Sequence, residues 1–303
     1  MHKLNYLRNL AQKHSVVIFY LVTFLISWGG LVLYLGGPNN ITAQPTEVPF
    51  LPLYLITVSG PCIAGVLLIG LYNGTEGYRK FLSRLFKYRV KVKWYAIALL
   101  IAPVTVFTTL LILWIFSREF LPGIFTSGDS PVASAFGLAG ANKTKLVLFV
   151  LMIGLFNGFV EELGWTGFVT HKQRSNHNFI ATGLNIGMMW GLWHLLSNYI
   201  GSAVETENFP LPLYIAVLLF SFLPPFRILM SWVYAHTGSL FIAILMHASL
   251  DIFWILSMPN FLTGQQRVVW YLVWAVVLWI VVVVIRKKQR IILDPKRKRI
   301  EII

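Results

Sequence analysis

Long apolar runs separated by short polar stretches dominate this 303-residue chain. A run of roughly 18 or more apolar residues can cross a hydrocarbon core of about 30 Å as a helix, with every backbone polar group satisfied inside the segment. Eight such runs are present, at about 15–36, 50–72, 94–116, 146–169, 179–199, 211–234, 239–258 and 268–285. The fold predicted is an all-α, polytopic membrane helical bundle of about eight transmembrane helices, forming one domain over residues 1–303. The first run is full length and leads into GGPNNITAQP, so it reads as a retained anchor rather than a signal peptide. Prolines 61, 103, 224 and 225 fall inside runs and predict kinks or breaks, the Pro224–Pro225 pair most strongly. Gly183, Gly187 and Gly191 recur every fourth residue and predict a smooth strip for close helix packing.

Composition adds direction to this picture. Mean hydropathy is +0.70 and only 12% of residues are charged, which excludes an ordinary soluble domain. The net charge of +14 is clustered. Lys3, Arg8 and Lys13 precede the first run; Arg79, Lys80, Arg84, Lys87, Arg89, Lys91 and Lys93 lie between the second and third. Lys172 and Arg174 follow the fourth, and a basic tail fills 286–303. The intervening loops GGPNNITAQPTEVPF and GSAVETENFPLP hold no Lys or Arg, an alternation that predicts both termini cytoplasmic. The basic blocks therefore read as topology and contact with anionic membrane lipids, with no nucleic acid as partner. The loop 76–93 interleaves Leu and Phe with Arg and Lys, predicting an amphipathic basic helix at the inner leaflet. The single cysteine, Cys62, excludes an intrachain disulfide.

Ionisable side chains at membrane depth cost about 2.5–3.5 kcal/mol each even on an insertion scale, so each requires a reason. Within the runs the acids are Glu161, Glu162 and Asp251, the clear histidines are His194 and His247, and the one base is Arg227. In LMHASLDIF, His247 and Asp251 stand four apart on one helical face; in WGLWHLL, Trp190 puts an aromatic wall one turn before His194. Glu161 and Glu162 are about 100° apart around the axis, so one faces a shared point while its neighbour holds something else. By helical rise, Glu161 and His247 lie about 12 Å from the inner ends of their runs and His194 about 22 Å, an offset the structure has to resolve.

A carboxylate, two imidazoles and an Asp drawn from three helices suit the activation of water for attack on a carbonyl, and amide hydrolysis is the chemistry that fits. The same set, as Glu161, His194 and His247, could hold a divalent metal such as zinc with one position open to water. The two versions stay open at this point. No HExxH helix is present.

These residues resemble the CAAX protease and bacteriocin-processing family of intramembrane endopeptidases, also called Abi proteins. The family's pattern is Glu-Glu-x-x-x-Arg, then aromatic-x-x-x-His, then His-x-x-x-Asn or Asp. The matching stretches here are VEELGWTGF, WGLWH and HASLD, supported by TGSLFIAILMH and SGPCIAGVLL. The resemblance covers about 55–255, with a catalytic-like core at about 146–258. It implies that Glu161 activates water with Glu162 beside it, that His194 and His247 hold the water or the oxyanion, and that Asp251 orients His247. One position departs: Thr166 stands where the family has Arg, and a threonine is too short to pair with a carboxylate as that arginine would. Arg227, from another helix, is a candidate substitute.

The expected activity is thus an intramembrane endopeptidase of glutamate or metallo type in the cytoplasmic membrane of a bacterium. Its substrate would be a peptide or protein, lipid-modified or membrane-embedded. Two other classes compete: a non-catalytic immunity or scaffold protein of the same fold, and a transporter using the acids and histidines as a proton relay. Alanine at Glu161 or His194 abolishes processing under the first reading and leaves the phenotype intact under the second, whereas the third predicts pH-driven flux.

Overall fold

The computed structural model describes residues 12–44, 48–125, 135–138, 140–173, 178–202, 206, 209–259 and 262–293. Lys3, Arg8, Arg174 and the last ten residues of the basic tail lie outside the described residues. Regular structure among the described residues is entirely helical. The helices are α1 (Ser15–Tyr34), α2 (Phe50–Leu85), α3 (Val92–Phe116), α4 (Lys143–Gln173), α5 (Phe179–Tyr199), α6 (Leu211–Phe220), α7 (Leu223–Thr237), α8 (Leu240–Ser257) and α9 (Gly264–Leu293). With α6 and α7 counted as one, eight are long and apolar enough to cross a membrane.

Leu25 and Leu33 of α1 and Leu111 and Ile115 of α3 are exposed, apolar surface of the kind that lipid covers. The protein is therefore an integral membrane protein. The sixth run divides where its prolines require, because Pro224 and Pro225 have no N–H for the preceding turn; α6 ends at Phe220 and α7 restarts at Leu223 with proline in its first turn.

Two differences from the sequence reading concern helix ends. Helix α2 runs on to Leu85, with a break at Gly74, whose φ of 56° and ψ of −147° suit a residue without a Cβ. Beyond that break Gly77, Phe81 and Leu85 recur at helical spacing on a buried face, and Arg79 and Lys80 are exposed. Helix α9 starts four residues earlier than predicted, at Gly264, which brings Arg267 into the bundle.

Glycine contacts draw the central helices together. A Cβ on Gly183 would sit 2.4 Å from Ile228 Cα, on Gly187 2.5 Å from Pro224 Cα, and on Gly191 2.5 Å from Leu219 O, so the predicted strip is the α5 surface that meets α6 and α7. Gly154 and Gly158 do the same for α4 against α8, while Gly164 lies against the Pro61 carbonyl of α2. These close approaches set α4, α5, α7 and α8 around a common point.

Candidate active site

The bundle holds both acids of α4 inside, and it treats them differently. Glu162 Oε1 accepts from Arg227 Nη1 of α7 at 2.6 Å and from His247 Nδ1 of α8 at 2.8 Å, and all three side chains are essentially fully buried. Its Oε2 accepts from the Thr166 hydroxyl, one turn on. A carboxylate can only accept, so the shared proton of the His247 bond belongs to Nδ1 and leaves Nε2 for other partners.

The sequence reading of Thr166 is corrected here. Residues four apart on a helix stand on one face, and glutamate is long enough to bend back to a threonine hydroxyl. From Trp165 to Thr170 the helix loosens into a wider π turn, buried throughout. The ionic partner that Thr166 does not supply comes from Arg227, whose guanidinium also lies 5.0 Å from the centre of the Trp190 ring.

Glu161 points to the other side of α4. Its Oε2 accepts from Trp190 Nε1 at 2.8 Å, and the residue lines a cavity of about 340 Å³. Trp190 stands at the centre of the group, with its ring centroid 5.2 Å from that of His247 and 5.6 Å from that of His194. The His194 ring also packs on that of Trp193, with centroids 4.5 Å apart, and it lines the same cavity with His247, Asp251 and Asn157.

The predicted depth offset of His194 narrows for a definite reason. Helix α4 extends four residues past its predicted end, to Gln173, so Glu161 is twelve residues, roughly 18 Å, from that end, against roughly 22 Å for His194 in α5.

The resemblance gives Asp251 the part of orienting His247, and the two side chains stand near each other across one helical turn. His247 Nε2 and Asp251 Oδ1 are 3.7 Å apart, a charge contact outside hydrogen-bond range. Glu162 holds His247, while Asp251 Oδ2 accepts from Asn157 Nδ2 at 2.8 Å and Asn157 in turn accepts from the Tyr54 hydroxyl of α2. Sequence reasoning missed Tyr54, Asn157 and Arg267. Asn157 lies four residues before Glu161 on α4, and that spacing was the available signal.

Among the described residues no three His, Cys, Asp or Glu side chains converge as ligands. Of the expected trio, His247 Nδ1 is bonded to Glu162 and Glu161 Oε2 accepts from Trp190, so His247 Nε2, the other Glu161 oxygen and the His194 ring are the atoms that would hold an ion.

Taken together, the site is a buried, hydrogen-bonded carboxylate network opening on a cavity at the centre of a membrane bundle. Residues 143–253 match the family model described as type II CAAX prenyl endopeptidase Rce1-like. That segment spans α4 to most of α8 and holds Glu161, Glu162, His194, His247 and Asp251, and the family so described is one of proteases, in agreement with the resemblance carried by the three motifs. No curated protein matches the chain.

Proposed function

We propose that this protein is an intramembrane endopeptidase in which Glu161 activates water against a peptide carbonyl. The observation that carries the reading is the split between the acids: Glu162 is engaged by three donors, whereas Glu161 accepts from the Trp190 N–H and faces the cavity. Glu161 takes a proton from water as the oxygen adds to the carbonyl carbon, and returns that proton to the nitrogen as the C–N bond breaks. His194 offers its ring N–H to the oxyanion. His247, held through Nδ1, turns Nε2 toward the reacting water. The Glu162–Arg227 pair fixes His247 without touching the substrate.

The substrate is a peptide or protein, lipid-modified or membrane-embedded. The matched family's description names CAAX prenyl substrates, and a chain in a bacterial cytoplasmic membrane would act on peptides of another kind.

Cleavage of a fluorogenic peptide by the purified protein tests the reading. Glu161→Ala and His194→Ala are expected to abolish turnover with membrane insertion and melting intact. Turnover equal to wild type in both variants ends the proposal. A parallel arm with chelator reads metal dependence: loss of activity restored by zinc would bring a metal into the mechanism.

A further inference from the structure

The cavity and the basic residues lie at opposite ends of the bundle. The cavity's inner part is lined by Glu161, Trp190 and His247. From there the lining continues through the first turns of α2 at Phe50 and Tyr54, the chain just past α5 at Ile200 and Ser202, the end of α8 at Met258 and the first turn of α9 at Arg267. All of these belong to the end where α2 and α9 begin and α5 and α8 finish.

Beyond Glu161 in the other direction the packing is tight, and the pocket at that end, lined by Lys13, Tyr20, Lys172 and Asn185, shares no lining residue with the cavity. The π turn Trp165–Thr170 is buried along its whole length, Gly164 meets the Pro61 carbonyl, and a Cβ on Gly167 would stand 2.6 Å from the Phe81 ring. Polar ties finish that end: Arg84 Nη1 donates to the Tyr234 hydroxyl at 3.0 Å, and the Ser239 hydroxyl donates to the Lys87 carbonyl at 2.6 Å.

The tightly packed end carries the positive charge. Seven Lys and Arg residues from Arg79 to Lys93 lie there, with Lys172 at the end of α4 and Arg286, Lys287 and Lys288 late in α9. At the cavity end the connections 35–49, 200–210 and 259–263 contain no Lys or Arg, and 117–145 contains three, Arg118, Lys143 and Lys145, against seven between Arg79 and Lys93 at the other end. The excess of basic residues in short connections marks the cytoplasmic side.

From this placement we infer that water and substrate reach Glu161 from the non-cytoplasmic side, so that the peptide cleaved is an exported peptide or an outward-facing segment of a membrane protein, not a cytoplasmic chain terminus. This rests on the reading of the cavity as a peptidase site for its substrate class, though not for its sidedness. The hydrolytic water then needs no path through the tightly packed half of the bundle, and the cleaved amide is one already across the bilayer.

The test uses the full chain in intact cells with Cys62→Ser as background and a membrane-impermeant maleimide. Ser197→Cys and Asn198→Cys place a thiol on the cavity wall, and Arg89→Cys places one on the exposed basic connection. Expected is labelling of both cavity thiols in intact cells, at least about tenfold above Arg89→Cys, which labels only after permeabilisation. Labelling of the cavity thiols only after permeabilisation, of neither cavity thiol under any condition, or of Arg89→Cys in intact cells overturns the inference; the second cavity variant guards against one that misfolds. Labelling requires no turnover. Outward labelling in a protein that cleaves nothing keeps the sidedness and ends the peptidase reading, whereas cleavage with inward labelling does the reverse.

Discussion

On one side of α4, Glu162 accepts hydrogen bonds from α7, from α8 and from its own helix; on the adjacent side, Glu161 accepts one from α5 and lines the cavity. The two residues are consecutive, equally buried and chemically identical. What differs is the number of donors. A carboxylate whose lone pairs are engaged from three directions holds helices in place, while one with an oxygen turned to a cavity is available to take a proton. Burial of an acid inside a membrane therefore does not identify a base, and its donors have to be counted.

The sharpest way to break this comparison is to neutralise each acid in turn. Glu161→Gln keeps a carbonyl oxygen for the Trp190 N–H and removes only the basic group. Turnover is expected to fall by about 10²–10⁴-fold, the usual worth of a general base, with little change in the detergent melting curve. Equal turnover would move the base elsewhere.

Arg227→Met is expected to act in the opposite way, chiefly on stability. It leaves Glu162 buried without its cation, which costs about 3–5 kcal/mol where a buried pair loses one member. Reversible unfolding in mixed detergent micelles measures it. Adding Thr166→Arg to that variant returns a guanidinium one turn from Glu162 on the same helix, and partial recovery is expected. Absence of any recovery would mean that the direction from α7, rather than the charge, is what Glu162 requires.

A third substitution affects both sides together. Gly183→Ala puts a methyl 2.4 Å from Ile228 Cα, and α5 has to move away from α7. Overpacking of this kind costs about 1–3 kcal/mol. Because α5 carries Trp190 and α7 carries Arg227, stability and turnover are expected to fall together, unlike in the first two variants. Loss of one alone would show that the glycine strip does not couple them.

The bundle was legible in the sequence because a lipid core demands long uninterrupted apolar runs and prolines mark their breaks; the α6–α7 division and the α5 glycine strip followed from the same rules. Among the site residues, the 100° offset between Glu161 and Glu162 foretold two surroundings without saying which acid received which. Arg227 was visible as the one base within the runs. Asp251 was legible as a member of the group, whereas its hydrogen-bond partner was not, since helical spacing brings His247 near it without fixing ring direction. Tyr54 and Asn157 escaped because they are neutral at pH 7 and do not stand out in an apolar run as an acid or imidazole does, although an amide or phenol in lipid also has to find a partner. The continuation of α2 past Gly74 and the early start of α9 were hidden by charge: basic residues flanking an apolar run look like loop even where the backbone stays helical.

The smallest expected effect tests whether the network beyond Glu161 belongs to the cavity side of the comparison. Tyr54 donates to Asn157, which donates to Asp251, and all three line the cavity. Tyr54→Phe removes one hydroxyl and keeps the ring against Phe136 and Phe156. Side-chain hydrogen bonds in membrane bundles contribute about 0.6 kcal/mol on average and up to about 1.7, so unfolding shifts little. The amide of Asn157 is then free to turn, and Asp251 loses a fixed donor without losing its place on α8. If Asp251 shapes the cavity for substrate, KM rises by a few fold while kcat holds. A change in kcat with KM constant would instead tie Asp251 to the water that Glu161 activates, and would draw the boundary between the two acids differently.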